Sequence, residues 1–216
     1  MKKKIIGMIL IAGMMTAIAG CGENGVTNEA DTSSIAVDEK AQAENVDTAK
    51  IATADENGNY LVNGSFEEPD FTGWKVTNIN DVTEELDVYD RATDCFEGAQ
   101  SLHFYSGSSN EDFSAEQTVS GLEDGTYKLT AHIQGEAAGD ENAQAYFYAL
   151  VDGEEVKVDG KLNGYVNWYT AELPGITPTD GKITVGIRVS AAPGAWGTID
   201  DISLIKETSY EKSTIN

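Results

Sequence analysis

Residues Lys182 to Ser190 read Lys-Ile-Thr-Val-Gly-Ile-Arg-Val-Ser, with Ile183, Val185, Ile187 and Val189 at every second position. Side chains along a strand alternate between its two faces. The run therefore presents one apolar row, and turns Thr184, Gly186, Arg188 and Ser190 the other way. A helix, with a period of 3.6, would scatter that row around its surface. Asp180-Gly181 opens the run as a turn. The same alternation recurs in Tyr127 to Gln134, where Leu129, Ala131 and Ile133 share a face behind the turn Gly121 to Gly125. It recurs around Phe147 in Ala145 to Val151, which Asp152-Gly153 closes as a hairpin. Leu102 and Phe104 pair in Ser101 to Ser106, and a last strand holds Ile202 and Leu204. Short alternating strands with no long amphipathic helix predict an all-β domain folded as a two-sheet sandwich.

The ends of the chain have a different character. Lys2, Lys3 and Lys4 precede an apolar run from Ile5 to Ile18 that is too short and wrongly flanked to span a membrane. It ends in Ile18-Ala19-Gly20-Cys21, which resembles the lipobox of bacterial lipoproteins. That resemblance implies a signal peptide over 1–20 and a lipidated Cys21 that anchors the protein to the extracellular face of the cytoplasmic membrane. An ordinary secretory signal with a chance cysteine is the other reading. Gly22 to Asn57 contains no Phe, Tyr or Trp, so it cannot bury enough surface to offset its chain entropy. Residues 21–57 are expected to be a disordered acidic linker, 58–206 the folded module and 207–216 a polar tail. Cys95 is then left without a disulfide partner and is expected to be a small buried hydrophobe.

Lys and Arg total 14 against 37 Asp and Glu, a formal charge of -23. That field repels phosphate backbones, so a nucleic-acid partner is excluded. It leaves calcium and neutral hydroxylated ligands open. The adjacent acids Glu67-Glu68, Glu84-Glu85, Glu154-Glu155 and Asp200-Asp201 are what so acidic a chain produces by chance. With only His103 and His132, and no nucleophile triad, zinc spacing or phosphate loop, no enzyme is expected.

The outward faces of the strands carry Lys128, Thr130, His132 and Gln134, Tyr146 and Tyr148, Arg188, and His103 with Tyr105. Sugar rings have apolar C–H faces and polar edges, and are held by aromatic stacking plus planar hydrogen-bonding groups. Tyrosines on a strand are also ordinary strand formers on a solvated or partly covered face. Trp196, between small neighbours in Gly194-Ala195-Trp196-Gly197, is the first candidate for sugar contact. Tyr105, Gln134, Tyr146 and Arg188 follow from the outward-face argument, whereas Trp74 and Trp168 read as core residues beside strand starts.

Asn63-Gly64-Ser65-Phe66-Glu67 with Gly73-Trp74 looks like the opening of many jelly-roll carbohydrate-binding modules. Ser101 to Tyr105, Phe113 to Gln117, Gly164 to Trp168 and, above all, Gly194 to Asp201 narrow the resemblance to the family 61 modules appended to family 53 endo-β-1,4-galactanases. It implies a jelly-roll β-sandwich that binds β-1,4-galactan or galacto-oligosaccharide. It also implies a structural Ca2+ between the first and last strands, at Glu67, at Gln100 within the Glu97 to Ser101 stretch, and at Asp201. The catalytic (β/α)8 barrel of such an enzyme does not fit in this length. The expectation is a non-catalytic surface lipoprotein that holds galactan near a separate endo-β-1,4-galactanase. The alternative is an adhesin or assembly lipoprotein that uses the same sandwich for another envelope glycan or a protein.

Overall fold

A computed structural model describes residues 52–208. The expected signal peptide over 1–20, the expected lipidation site Cys21, most of the expected linker and most of the expected tail lie outside the described residues. Ten strands follow in order: β1 (Lys75–Asn78), β2 (Glu85–Asp90), β3 (Gln100–Tyr105), β4 (Glu111–Ser120), β5 (Tyr127–Glu136), β6 (Gln144–Val151), β7 (Glu154–Asp159), β8 (Gly164–Ile176), β9 (Lys182–Ala191) and β10 (Trp196–Lys206). They form two antiparallel five-stranded sheets, a front sheet ordered β2-β3-β10-β5-β8 and a back sheet ordered β1-β4-β9-β6-β7. The all-β sandwich read from the alternation is the observed fold, and among the described residues there is no α-helix.

The apolar rows meet between the sheets. Leu129, Ala131 and Ile133 of β5 and Leu102 and Phe104 of β3 join Ile183, Val185, Ile187 and Val189 of β9 in one buried cluster. Burying each such aliphatic or aromatic side chain contributes roughly 1.5–3 kcal/mol. The opening segment closes one end of this core. Phe66 and Trp74 stack with centroids 5.6 Å apart, and the Trp74 indole N–H donates to Asn63 O at 3.0 Å. Trp74 is thus a core tryptophan, as expected.

The packed domain also includes residues ahead of 58. The Ala52 N–H donates to Gly121 O at 3.1 Å, and its side chain packs against the core. Asn59 then ties this segment to β10: its amide donates to Ile202 O at 3.1 Å and its carbonyl accepts from Leu61 N and Leu204 N. Gly64 passes so close to β10 that a Cβ there would lie 2.0 Å from Ile202 O.

Strand β10 contains a bulge between Asp200 and Ser203, with Asp201 at φ 45°. The extra residue resets the alternation, so Ile199, Ile202 and Leu204 all reach the core. On the outer side of the back sheet, Tyr148 faces away from the core yet is buried. Its ring fills the space above Gly186, where a Cβ would lie 2.0 Å from Cζ, and its hydroxyl donates to Glu116 at 2.7 Å.

Candidate carbohydrate-binding face

Outward positions of the front sheet fall into register across four strands. Trp196 stands opposite Tyr105 on one side and Glu136 on the other, and Thr198 stands opposite His103 and Gln134. His132 stands opposite Asp200 and Thr170.

Half of this face is covered from within. The connection between β2 and β3 folds across it and is pinned at several points. Asp94 O accepts from the Thr198 hydroxyl at 2.9 Å and the Gln134 amide at 3.3 Å. Asp200, fully buried, accepts from Phe96 N at 2.8 Å and Glu97 N at 3.1 Å. The Phe96 ring stacks on His132 with centroids 3.6 Å apart and meets Trp168 edge-on at 5.6 Å. Burial pushes the His132 imidazole below its ordinary pKa, favouring the neutral ring, and the same cause pushes Asp200 up to about 6. Cys95, in this connection, is half-buried, with Sγ 3.3 Å from Arg91 O, rather than part of the core.

The uncovered half is aromatic. Tyr105 ends β3 with 37% of its surface exposed, and Tyr165 at the start of β8 is 57% exposed. Trp196 lies half-buried, its ring 6.2 Å from that of Tyr165. The Tyr165 hydroxyl donates to Asp94 at 2.8 Å, which sets the ring beside the pinned connection. Further along, Tyr89 stacks on His103 at 4.3 Å and has the Arg91 guanidinium over its ring at 4.6 Å, and His103 Nδ1 meets Asp87 at 3.0 Å. Rings that expose apolar faces, bordered by hydroxyl, carboxylate, guanidinium and imidazole groups, form a surface suited to neutral sugars.

The five residues chosen from the sequence do not form one site. Trp196 and Tyr105 come together on this face. Gln134 lies beside them but is fully buried and satisfied: its amide donates to Asp94 O and Thr198, and its carbonyl accepts from Val166 N. It clamps the covering connection and has no edge left for a ligand. Tyr146 and Arg188 are cross-strand partners, but on β6 and β9 of the back sheet, so the sandwich separates them from Trp196. Arg188 is engaged there with the Asp112 carboxylate and with Phe113 O at 3.0 Å. Trp168, expected in the core, is instead half-buried on the outer face against Phe96. Tyr165 was missed as an individual candidate. The register shift between Ile133 and Gly135 against β8 breaks the alternation that would have exposed it.

The residues named for calcium occupy the other end of this sheet. Glu67 and Asp201 line one cavity of about 610 Å3, together with Asn59, Asn63 and Glu97. Glu67 accepts from Ala99 N at 2.7 Å and Gln100 N at 3.0 Å, so Gln100 meets Glu67 through its backbone. Asp201 faces His132 Nε2 at 3.6 Å. Among the described residues, no three Asp, Glu, His or Cys side chains are grouped to hold a metal. A Ca2+ here would draw on two carboxylates with backbone and solvent oxygens.

No protein-family model matches the sequence, and no curated protein matches it. Among solved structures, TmCBM61 in complex with β-1,4-galactotriose superposes with a TM-score of 0.61 at 25% identity, over 69% of this chain and 99% of that one. The domain is similar to a family 61 carbohydrate-binding module. The enzymatically active domain of tailspike protein 4 of bacteriophage CBA120 shares the fold at a TM-score of 0.51 and 13% identity, over 69% of this chain and 22% of that one. A family 22 carbohydrate-binding module of Clostridium thermocellum lies further off, at a TM-score of 0.48 and 16% identity, over 74% of this chain and all of that one.

Proposed function

We propose that this protein is a non-catalytic glycan-binding module that takes β-1,4-galactan on the open half of its front sheet. The observation that carries this reading is the cluster of Tyr105, Trp196 and Tyr165 on a sandwich similar to a module solved with β-1,4-galactotriose. The tyrosines offer exposed ring faces and Trp196 a partly exposed one. The covering connection fixes the Tyr165 ring in advance through Asp94, so less side-chain entropy is lost there on binding.

Anchored through the lipobox-like Cys21, the module would hold galactan at the extracellular face of the membrane, near separate galactan-degrading enzymes. We propose as well that a structural Ca2+ bound by Glu67 and Asp201 would hold the opening segment against β10. Migration of the protein through native gels containing β-1,4-galactan tests the binding. Retardation that galactotriose relieves supports it, and unimpeded migration overturns it.

A further inference from the structure

Tyr146 has no part in the front-sheet face, yet it lies in a site-like setting of its own. It lines a cavity of about 420 Å3 on the back sheet with Gln144, Lys157, Asp159 and Lys161. Lys157 Nζ sits 4.3 Å from the centroid of the Tyr146 ring, and Lys161 Nζ sits 4.8 Å from that of Tyr169.

These two lysines stand apart from most other cations. Lys75, Arg91, Lys128, Arg188 and Lys206 each pair with a carboxylate. Among the described residues, only Lys157, Lys161 and Lys182 have no carboxylate within 4.0 Å. Acids outnumber bases 37 to 14 in this chain, yet two of the three unpaired cations among the described residues converge on one cavity. Asp159 lines the same cavity and still pairs with neither. Both ammonium groups rest on aromatic rings instead, and an exposed contact of that kind contributes only about 0.5–1 kcal/mol. A ligand carboxylate can therefore draw Lys157 off the Tyr146 ring, and the ring face it uncovers is free to stack on a sugar.

We propose that this cavity is a second carbohydrate site, which binds a uronic acid residue of an acidic polysaccharide. Lys157 and Lys161 meet the carboxylate, Tyr146 takes the ring face, and the Gln144 amide is available to hydroxyls. The overall negative charge opposes the approach of a polyanion. At physiological salt, though, fields are screened within about 8 Å, so the local pair of lysines governs the contact. The site does not depend on galactan binding, since it lies on the opposite sheet.

Calorimetric titration of the protein with trigalacturonate at about 0.15 M salt tests this, compared with the same trisaccharide after reduction of its carboxylates to alcohols. The lysines are side chains of a surface cavity, so the double variant Lys157→Ala/Lys161→Ala is expected to keep its melting temperature. Its affinity for trigalacturonate should fall about fivefold or more, and the reduced trisaccharide should bind as weakly. Absence of trigalacturonate binding at millimolar concentration overturns the proposal. So does unchanged affinity in the folded double variant, or equal binding of the reduced sugar.

Discussion

Trp196 and Tyr105 are direct cross-strand partners on β10 and β3, which brings both side chains to the same outer end of the front sheet. Tyr165 reaches this pair from β8, two strands away. Three separate stretches of sequence thus build one surface, and loss of any ring is felt by a ligand spanning it.

Trp196→Ala should weaken galactan retention at least tenfold, about 1.4 kcal/mol, because stacking on a sugar face is lost without new contacts. Tyr165→Ala should act in the same direction, and Tyr165→Phe more mildly. Gels at graded galactan concentration give the ratio of affinities. Unchanged migration of Trp196→Ala would remove it from the site.

Gln134→Ala should behave differently. It deprives the part-buried Val166 N of its acceptor and removes one of the donors at Asp94 O, which keeps the Thr198 hydroxyl. Each buried group left unpaired costs about 1–3 kcal/mol. Denaturant unfolding should therefore show a loss of about 1–3 kcal/mol. A variant as stable as the parent would show that the clamp contributes nothing.

Glu111 supplies a pH test. It is fully buried, neither carboxyl oxygen has a hydrogen-bond partner, and burial pushes its pKa up to about 7. Below the ordinary carboxylate range the acid is neutral in both folded and unfolded chains, and its stabilising effect is complete. Between about pH 4.5 and 7 the unfolded chain releases the proton while the folded one keeps it, so stability falls as pH rises. The total fall is about 3 kcal/mol. Glu111→Gln should flatten that slope, measured by unfolding at pH 5 and pH 8. An equal slope in the variant would assign the effect elsewhere, with Asp200 the next group to examine.

Calcium gives a further test. A ligand bound only by the folded state raises stability with its concentration. EDTA should lower the melting temperature, calcium should restore it, and Glu67→Gln should lose the response. A melting temperature indifferent to both additions would leave Glu67 its observed task, which is to hold Ala99 N and Gln100 N.

The sandwich was legible in the sequence because its strands are amphipathic: Ile183 to Val189 and Leu129 to Ile133 fix their own inward faces. The site was only partly legible. Alternation shows that Tyr146, Arg188, Tyr105 and Gln134 point outward, but not from which sheet, since that depends on strand order. Nor does it show what covers an outward face. Gln134 and Tyr148 are both outward and buried, the one beneath residues of the β2–β3 connection and the other packed over Gly186. Trp196 was found because its glycine-rich setting opens a strand, while the irregular pairing of β8 hid Tyr165 and Trp168.

The most direct test of the account is a polysaccharide panel, in which the protein is run through native gels containing β-1,4-galactan, xylan, mannan, cellulose derivatives or peptidoglycan fragments. The account predicts selective retardation by galactan, lost in Trp196→Ala. Free migration in galactan, or equal retardation by every neutral polymer, would contradict it.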